Sequence, residues 1–362
     1  MRGPAVRPIV IAAGGTGGHF FPAEALAAEL VSRGHRVALM TDARAAAHLP
    51  DSFQGREVFV LRGAGIAGRG LRRGAAAVAR LALGTAQARL ILGRLDAAAL
   101  VGFGGYPTVA PVLATRLMRH APPVILHEQN AVLGRANRLL ARSATVLAAS
   151  FDYTRWVPSG VASVVTGNPV RPGFTPAHAT DGHLNLVVLG GSLGARVFSD
   201  TVPAALANLP DDLRTRLRVM QQCRAEDMQR VGAAYAASGI AAELAPFFTA
   251  MPDRLAQASL VIARAGASTV AELAAAGRPA LLVPLPHAID DHQTANARAL
   301  ADAGGAWVLP QTELHTLRDR LAALLSDPGD LAKAGAAARN FAKPDAAARL
   351  ADLVLSHARV SA

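Results

Sequence analysis

A single cysteine, Cys223, serves a chain of 362 residues. That excludes an internal disulfide and a thiolate metal cluster, and fits a reducing compartment. Lysine is nearly absent too, with only Lys333 and Lys343 among 37 basic residues. Neither of two glycine-rich turns contains one, so the G-x-x-x-x-G-K-[ST] phosphate loop is excluded. Long apolar runs are lacking. The longest uncharged stretch, 97–115, is broken by Gly102, Gly104, Gly105, Pro107 and Pro111 and reads as strand, glycine turn and helix. The apolar run 9–13 meets glycine too soon for a secretory core. The expectation is a cytosolic protein, or one attached to a membrane surface without spanning it. No D-x-D pair follows a strand, and His287 and His292 stand five apart rather than at helical metal-ligand spacing.

What is present describes a folded protein of two domains: 51% hydrophobic and 17% charged residues. The net charge is +11. Abundant alanine points to a compositional bias behind part of it, so charge alone leaves nucleic acid, an anionic membrane face and phosphorylated substrates open.

Short apolar runs alternate with alanine-rich helical stretches throughout, the pattern of α/β layers with parallel sheets. Strands are expected at 9–12, 36–40, 57–61, 98–101, 124–127 and 145–148, then at 186–189, 218–221, 241–244, 260–262, 280–283 and 306–309. The scheme restarts halfway. Gly14-Gly15-Thr16-Gly17-Gly18-His19 and Gly190-Gly191-Ser192-Leu193-Gly194 each leave a strand and enter a helix, suiting backbone N–H groups to an anion. Pro22 is expected near the first helical position. A Pro- and Gly-rich stretch at 167–176 marks the boundary between two Rossmann-like domains, 1–168 and 169–344, with a cleft facing the carboxyl ends of both sheets.

A dinucleotide fits poorly, because Phe20 stands where G-x-G-x-x-G requires its third glycine, and Asp42 reads as readily as a helix N-cap. A nucleotide sugar fits better. Backbone donors, Ser192 and Arg171 suit its diphosphate, Glu272 its ribose diol, and the amides of Gln293 and Asn296 its sugar. Glu272 equally reads as a capping-box or dipole-complementing carboxylate.

Seven motifs occur in the order seen in the MurG family, the GlcNAc transferases that convert lipid I into lipid II: Gly14-Gly15-Thr16-Gly17-Gly18-His19, Gly104-Gly105-Tyr106-Pro107, His127-Glu128-Gln129-Asn130, Gly167-Asn168-Pro169-Val170-Arg171, Gly190-Gly191-Ser192-Leu193-Gly194-Ala195, Gly266-Ala267-Ser268-Thr269-Val270-Ala271-Glu272 and Asp291-His292-Gln293-Thr294-Ala295-Asn296. The resemblance implies an α/β GT-B fold, with residues 345–362 returning to the N-terminal domain after Lys343-Pro344. It implies donor contacts at Thr16, Gly17, Gly18, Asn130, Arg171, Ser192, Phe248, Ala267, Ser268, Thr269, Val270, Ala271, Glu272 and Gln293. Acceptor contacts are implied at His19, Gly104, Gly105, Tyr106 and His127. Phe248 falls where the family's backbone pairs with uracil, and equally reads as a core residue.

The implied reaction is inverting attack of the MurNAc 4-hydroxyl on C1 of UDP-GlcNAc. His19 is the first candidate for the base and Glu128 the second; His19 could equally bind the acceptor diphosphate as a cation. No cofactor, essential metal or nucleic acid is implied. The partners are UDP-GlcNAc, lipid I, the anionic cytoplasmic face of the inner membrane through an Arg-rich apolar patch near 69–95, and wall-synthesis or division proteins. Leu193 stands where the family often has glutamine, and Ala288-Ile289-Asp290 alters the loop before Gln293. A soluble-acceptor GT-B transferase, a UDP-GlcNAc 2-epimerase and a non-catalytic nucleotide-binding module are the alternatives.

Overall fold

The computed structural model describes residues 7–14, 17–47, 49, 51–61, 71–175, 182–191 and 194–359, with the side chains of 51 and 71–75 outside that description. The chain forms two compact units, Met1–Arg171 with Pro344–Ala362, and Pro172–Lys343.

Unit 1 holds seven strands: β1 (Ile9–Ala12), β2 (Val37–Thr41), β3 (Glu57–Val60), β4 (Ala99–Gly102), β5 (Val124–Glu128), β6 (Val146–Ala149) and β7 (Ser163–Val165). Their order is β3-β2-β1-β4-β5-β6-β7, all parallel. The inner strands are buried on both faces, as their uninterrupted apolar runs require. On one face Ile9, Ile11, Val101 and Phe103 pack with Leu26 and Leu30 of helix Gly17–Ser32. On the other, Val10, Leu100 and Leu126 meet Ala88 and Leu92 of helix Leu71–Leu95 and Val109 and Val112 of helix Gly105–Thr115. Strand order reverses between β1 and β4, so the loops leaving those two strands part and open a crevice at their carboxyl ends.

Unit 2 repeats the design with β8 (Leu184–Leu189), β9 (Leu217–Gln222), β10 (Ala241–Ala245), β11 (Leu260–Ala263), β12 (Ala280–Leu282) and β13 (Ala306–Val308). The order is β10-β9-β8-β11-β12-β13, again parallel, with the reversal between β8 and β11.

Two expectations need correction. Seven strands rather than six form the first sheet; β7 is a three-residue, largely exposed edge strand whose polar Ser163 gives no apolar run to read. Pro22 lies inside helix Gly17–Ser32 rather than at its start, because the helix begins at Gly17.

After Pro344 the chain adds helix Ala346–His357 to unit 1. Leu350, Ala351 and Val354 lie on one face at helical spacing and are fully buried against helix Gly17–Ser32 and β4. Apolar burial of this kind contributes about 1.5–3 kcal/mol for each large side chain. The exposed Arg33–Asp352 ion pair adds at most about 1 kcal/mol. Leu350→Ala should therefore cost about 2–5 kcal/mol. Hydrogen exchange should show the loss at the amides of β1 and β4 and leave those of β8 and β11 unchanged.

Candidate functional site

The crevice of unit 1 gathers the first glycine turn, the turn after β4 and the end of β5. A Cβ on Gly14 would lie 2.5 Å from Asp42 Oδ2 and 3.1 Å from Pro107 Cγ, so only glycine fits there. Asp42 cannot easily yield. Its Oδ1 accepts from the backbone N–H groups of Arg44 (2.8 Å) and Ala45 (3.1 Å), so it is the N-cap of the helix that follows rather than a ribose ligand. Burial, then a hydrogen bond to Asp42, pushes the Tyr106 hydroxyl up to about 12, which keeps it protonated as a donor. Thr16 lies outside the described residues; Gly17 and Gly18 open the helix and His19 is its third residue. A Cβ on Gly105 would stand 3.7 Å from His19 Cδ2, so that turn and the histidine lie side by side.

The end of β5 and the residues that follow it take on roles that their residue types do not announce. His127 is fully buried, with Nε2 donating to the Gly167 carbonyl at 3.1 Å. Burial lowers its pKa to about 4, against which the Gly167 bond acts only in part. A side chain enclosed in this way does not touch an acceptor, which corrects the expectation for His127. Glu128 is 2% exposed and its carboxylate is saturated. Oε1 accepts from the backbone and side-chain N–H of Asn130, both at 3.0 Å; Oε2 accepts from Gly134 N and Asn137 Nδ2, both at 2.9 Å. Four donors occupy its oxygens and tie the loop to its neighbouring helix, so Glu128 is an anchor rather than a base. Asn130 is one of its partners. Gln129, to which sequence reasoning gave no role, joins His127 to His19: its Nε2 lies 3.1 Å from His127 Nδ1 and its Oε1 3.0 Å from His19 Nδ1. The available signal was its position between two polar residues at the end of a buried strand.

Arg171 belongs to unit 1, where its guanidinium stacks 4.3 Å from the centroid of Phe21. The placement puts it beside the helix carrying His19.

In unit 2 that turn folds tightly on itself. A Cβ on Gly190 would collide with the backbone nitrogen of Ala195 and stand 2.8 Å from Gly194 Cα. Gln222 Oε1 accepts from Gly190 N at 3.0 Å and fixes the entry. Ser192 and Leu193 lie outside the described residues. After β11, helix Ala267–Ala276 starts at Gly266 with no side-chain cap. Ala267, Ser268 and Thr269 thus supply first-turn backbone N–H groups, with Val270 and Ala271 in the next turn. Glu272 is the sixth helical residue, past the third position where a capping-box carboxylate sits, so that reading is excluded. Gln293 Oε1 accepts from the backbone of Ala265 (3.2 Å) and Leu285 (2.9 Å), which leaves its NH₂ as the group to offer a ligand. Asn296 is fully buried and donates to Ala265 O at 3.1 Å, so it braces the loop instead of meeting a sugar. Phe248 is buried under Arg254, 4.7 Å from the ring centroid, and has the side chain of a core residue.

Two further features escaped the sequence. Arg264 is buried at the end of β11, its guanidinium donating to the Val283 and Pro284 carbonyls (3.1 and 3.0 Å) and to Gln311 Oε1 (2.6 Å). It joins the carboxyl ends of β11 and β12 to the segment after β13. His287, Asp290 and Asp291, in the loop before Gln293, all have positive φ (61°, 59° and 52°). Such strain costs of order 1–3 kcal/mol at each residue and concentrates at functional sites. Among the described residues no group of three or more His, Cys, Asp or Glu side chains could hold a metal ion.

Residues 9–148 match the glycosyltransferase family 28 N-terminal domain and residues 185–350 its C-terminal domain. A protein of Granulibacter bethesdensis named UDP-N-acetylglucosamine--N-acetylmuramyl-(pentapeptide) pyrophosphoryl-undecaprenol N-acetylglucosamine transferase is 60% identical over 98% of this chain and 94% of its own length. One of Rhodospirillum centenum with the same name is 53% identical over 97% and 94%. The crystal structure of Acinetobacter baumannii MurG superposes with a TM-score of 0.79 at 32% identity, covering 96% of this chain and 99% of that one.

The His127 environment has a measurable consequence. Its folded pKa of about 4 lies below its ordinary value of 6.5, so between those pH values the unfolded chain binds the extra proton and stability rises with pH. Unfolding free energy should fall by about 3 kcal/mol as pH drops through that window. Denaturant titrations at stepped pH should show His127→Gln lacking this part of the slope; a wild-type-minus-variant difference constant with pH would show that the ring titrates alike in the folded and unfolded chain.

Proposed function

Since the chain belongs to the MurG family of glycosyltransferase family 28, we propose that it transfers GlcNAc from UDP-GlcNAc to the 4-hydroxyl of MurNAc-pentapeptide-pyrophosphoryl-undecaprenol, converting lipid I into lipid II. Full-length kinship to proteins of that name carries the reading. The geometry supports the roles of individual residues. As O4 bonds to C1, the C1–O bond to the diphosphate breaks and UDP leaves as an anion, while the hydroxyl proton passes to a base. With Glu128 saturated and His127 enclosed, His19 is that base. Gly104 and Gly105 shape the acceptor's place beside it, and Tyr106, its protonated hydroxyl bonded to Asp42, follows in the same turn.

Donor contacts are assigned to the backbone of Gly17, Gly18 and of 267–271, to the ribose-binding carboxylate of Glu272, to the Gln293 NH₂, and to Thr16, Asn130, Arg171 and Ser192. The Phe248 backbone meets uracil. Backbone N–H groups and arginine balance the leaving diphosphate, so no metal is required. The epimerase alternative has only a structural likeness at 13% identity, which shows the fold alone.

The lipid acceptor places unit 1 against the cytoplasmic membrane face. No described helix is long and apolar enough to cross a membrane. Helix Leu71–Leu95 instead turns Ala88 and Leu92 inward and exposes Val78, Leu83 and Leu90 among Arg80, Arg89 and Arg94. Apolar insertion flanked by arginine suits an anionic interface. Leu92 is therefore core rather than part of the patch, and Leu81 and Ile91 pack partly against the same core. Residues 69 and 70, and the side chains of Arg72 and Arg73, lie outside the described set.

UDP release should require a lipid I analogue and persist in excess chelator; release without acceptor, or Mg-reversible loss, would overturn the reading. His19→Ala should lower kcat about 10²–10⁴-fold with the KM for UDP-GlcNAc changed little. Converting Arg80 and Arg89 together to Gln should weaken binding to anionic vesicles by about 2 kcal/mol, roughly thirty-fold. Unchanged sedimentation with vesicles would remove the patch from the account.

A further inference from the structure

His19, Gln129 and His127 form one line of hydrogen bonds whose direction is set at its buried end. The Gly167 carbonyl can only accept, so His127 carries its proton on Nε2, 3.1 Å away. The enclosed ring is neutral at neutral pH, which leaves a lone pair on Nδ1. Gln129 Nε2 faces that nitrogen at 3.1 Å and the Phe103 carbonyl at 3.0 Å. Two acceptors on that side allow only the NH₂ group there, so the amide orientation is determined by its surroundings. Its Oε1 then points at His19 Nδ1, 3.0 Å away, and can only accept. His19 must hold its proton on Nδ1. The lone pair falls on Nε2, on the side of the turn where a Gly105 Cβ would stand 3.9 Å off.

We propose that Gln129 is a positioning residue that holds His19 in the Nδ1–H tautomer and thereby makes Nε2 the nitrogen that takes the acceptor's hydroxyl proton. This rests on His19 being the base. The opposite tautomer would place a second acceptor against Gln129 Oε1. Rotating the amide to relieve that would set Oε1 against the Phe103 carbonyl and the His127 lone pair, three acceptors with no proton among them. After Nε2 takes the proton, the imidazolium still donates Nδ1–H to Oε1, so proton transfer requires no rearrangement of the line.

The test is ¹⁵N NMR of the full-length enzyme with labelled histidine rings, the His19 signals assigned by their loss in His19→Ala. Wild type, above the pH at which His19 titrates, should show a protonated Nδ1 and an unprotonated Nε2. Gln129→Met keeps length but offers no oxygen; its His19 signals should become a tautomer average, and kcat should fall about tenfold or more with the KM for UDP-GlcNAc within twofold. Gln129→Glu, protonated in this enclosed place, supplies one acceptor toward His19 and one donor toward the interior, and should restore both the tautomer and most of kcat. A wild-type His19 protonated on Nε2 overturns the proposal even if neither variant folds. So does Gln129→Met with His19 still wholly Nδ1–H, which locates the failure at Gln129. An averaged tautomer with kcat unchanged overturns it at the other joint, by removing His19 as base.

Discussion

Burying three consecutive polar side chains at the carboxyl end of β5 obliges each of their donors and acceptors to find a partner. The partners come from the loops around the unit 1 crevice. His127 takes Gly167, Glu128 takes the segment Asn130–Asn137, and Gln129 takes Phe103 after β4 and His19 after β1. Pairing these groups therefore fixes where four segments stand. A mobile loop would be cheaper in entropy, but it would leave buried amides and a carboxylate without partners, at about 1–3 kcal/mol for each neutral group and more for the charge.

Unit 2 reaches comparable order by different means. Gln293 and Asn296 grip the backbone of Ala265 from helix His292–Asp302, and Arg264 ties the strand ends together through carbonyl oxygens. A buried cation with no carboxylate in that grip has its pKa lowered by desolvation. It leaves the adjoining helix start at Gly266 electropositive. In both units, then, the loops that leave the strands beside the reversal are held by side chains, and each leads to a helix N-terminus, whose dipole favours an anion.

Much of this was legible in the sequence because it depends on periodicity. Uninterrupted apolar strands, their alternation with helices and the repeated glycine turn indicated two parallel-sheet units, whereas the return of the last helix after Lys343-Pro344 was implied by the family resemblance and not by any pattern. β7 was not legible, since a short edge strand buries too little to need an apolar pattern. Residue type also misled. His127 and Glu128 have the chemistry of a ligand and a base, yet solvent exposure, which no pattern encodes at the end of a strand, assigns both to the framework. Leu92 and Asn296 failed for the same reason: a helix shows which residues share a face, but not which face is inward.

The same tetrapeptide shows why residue type is a weak guide to a proton's path. A carboxylate held by four N–H groups has no lone pair to spare for a hydroxyl, and releasing one would leave a buried donor unsatisfied. A histidine enclosed so that it stays neutral at neutral pH exchanges no proton with substrate. What remains is their order: a neutral amide, unable to take a proton itself, passes on the direction imposed by a carbonyl deep in the fold to a histidine at its edge. The polarity of that line, rather than the acidity of any one member, decides which nitrogen of the His19 ring is bonded inward.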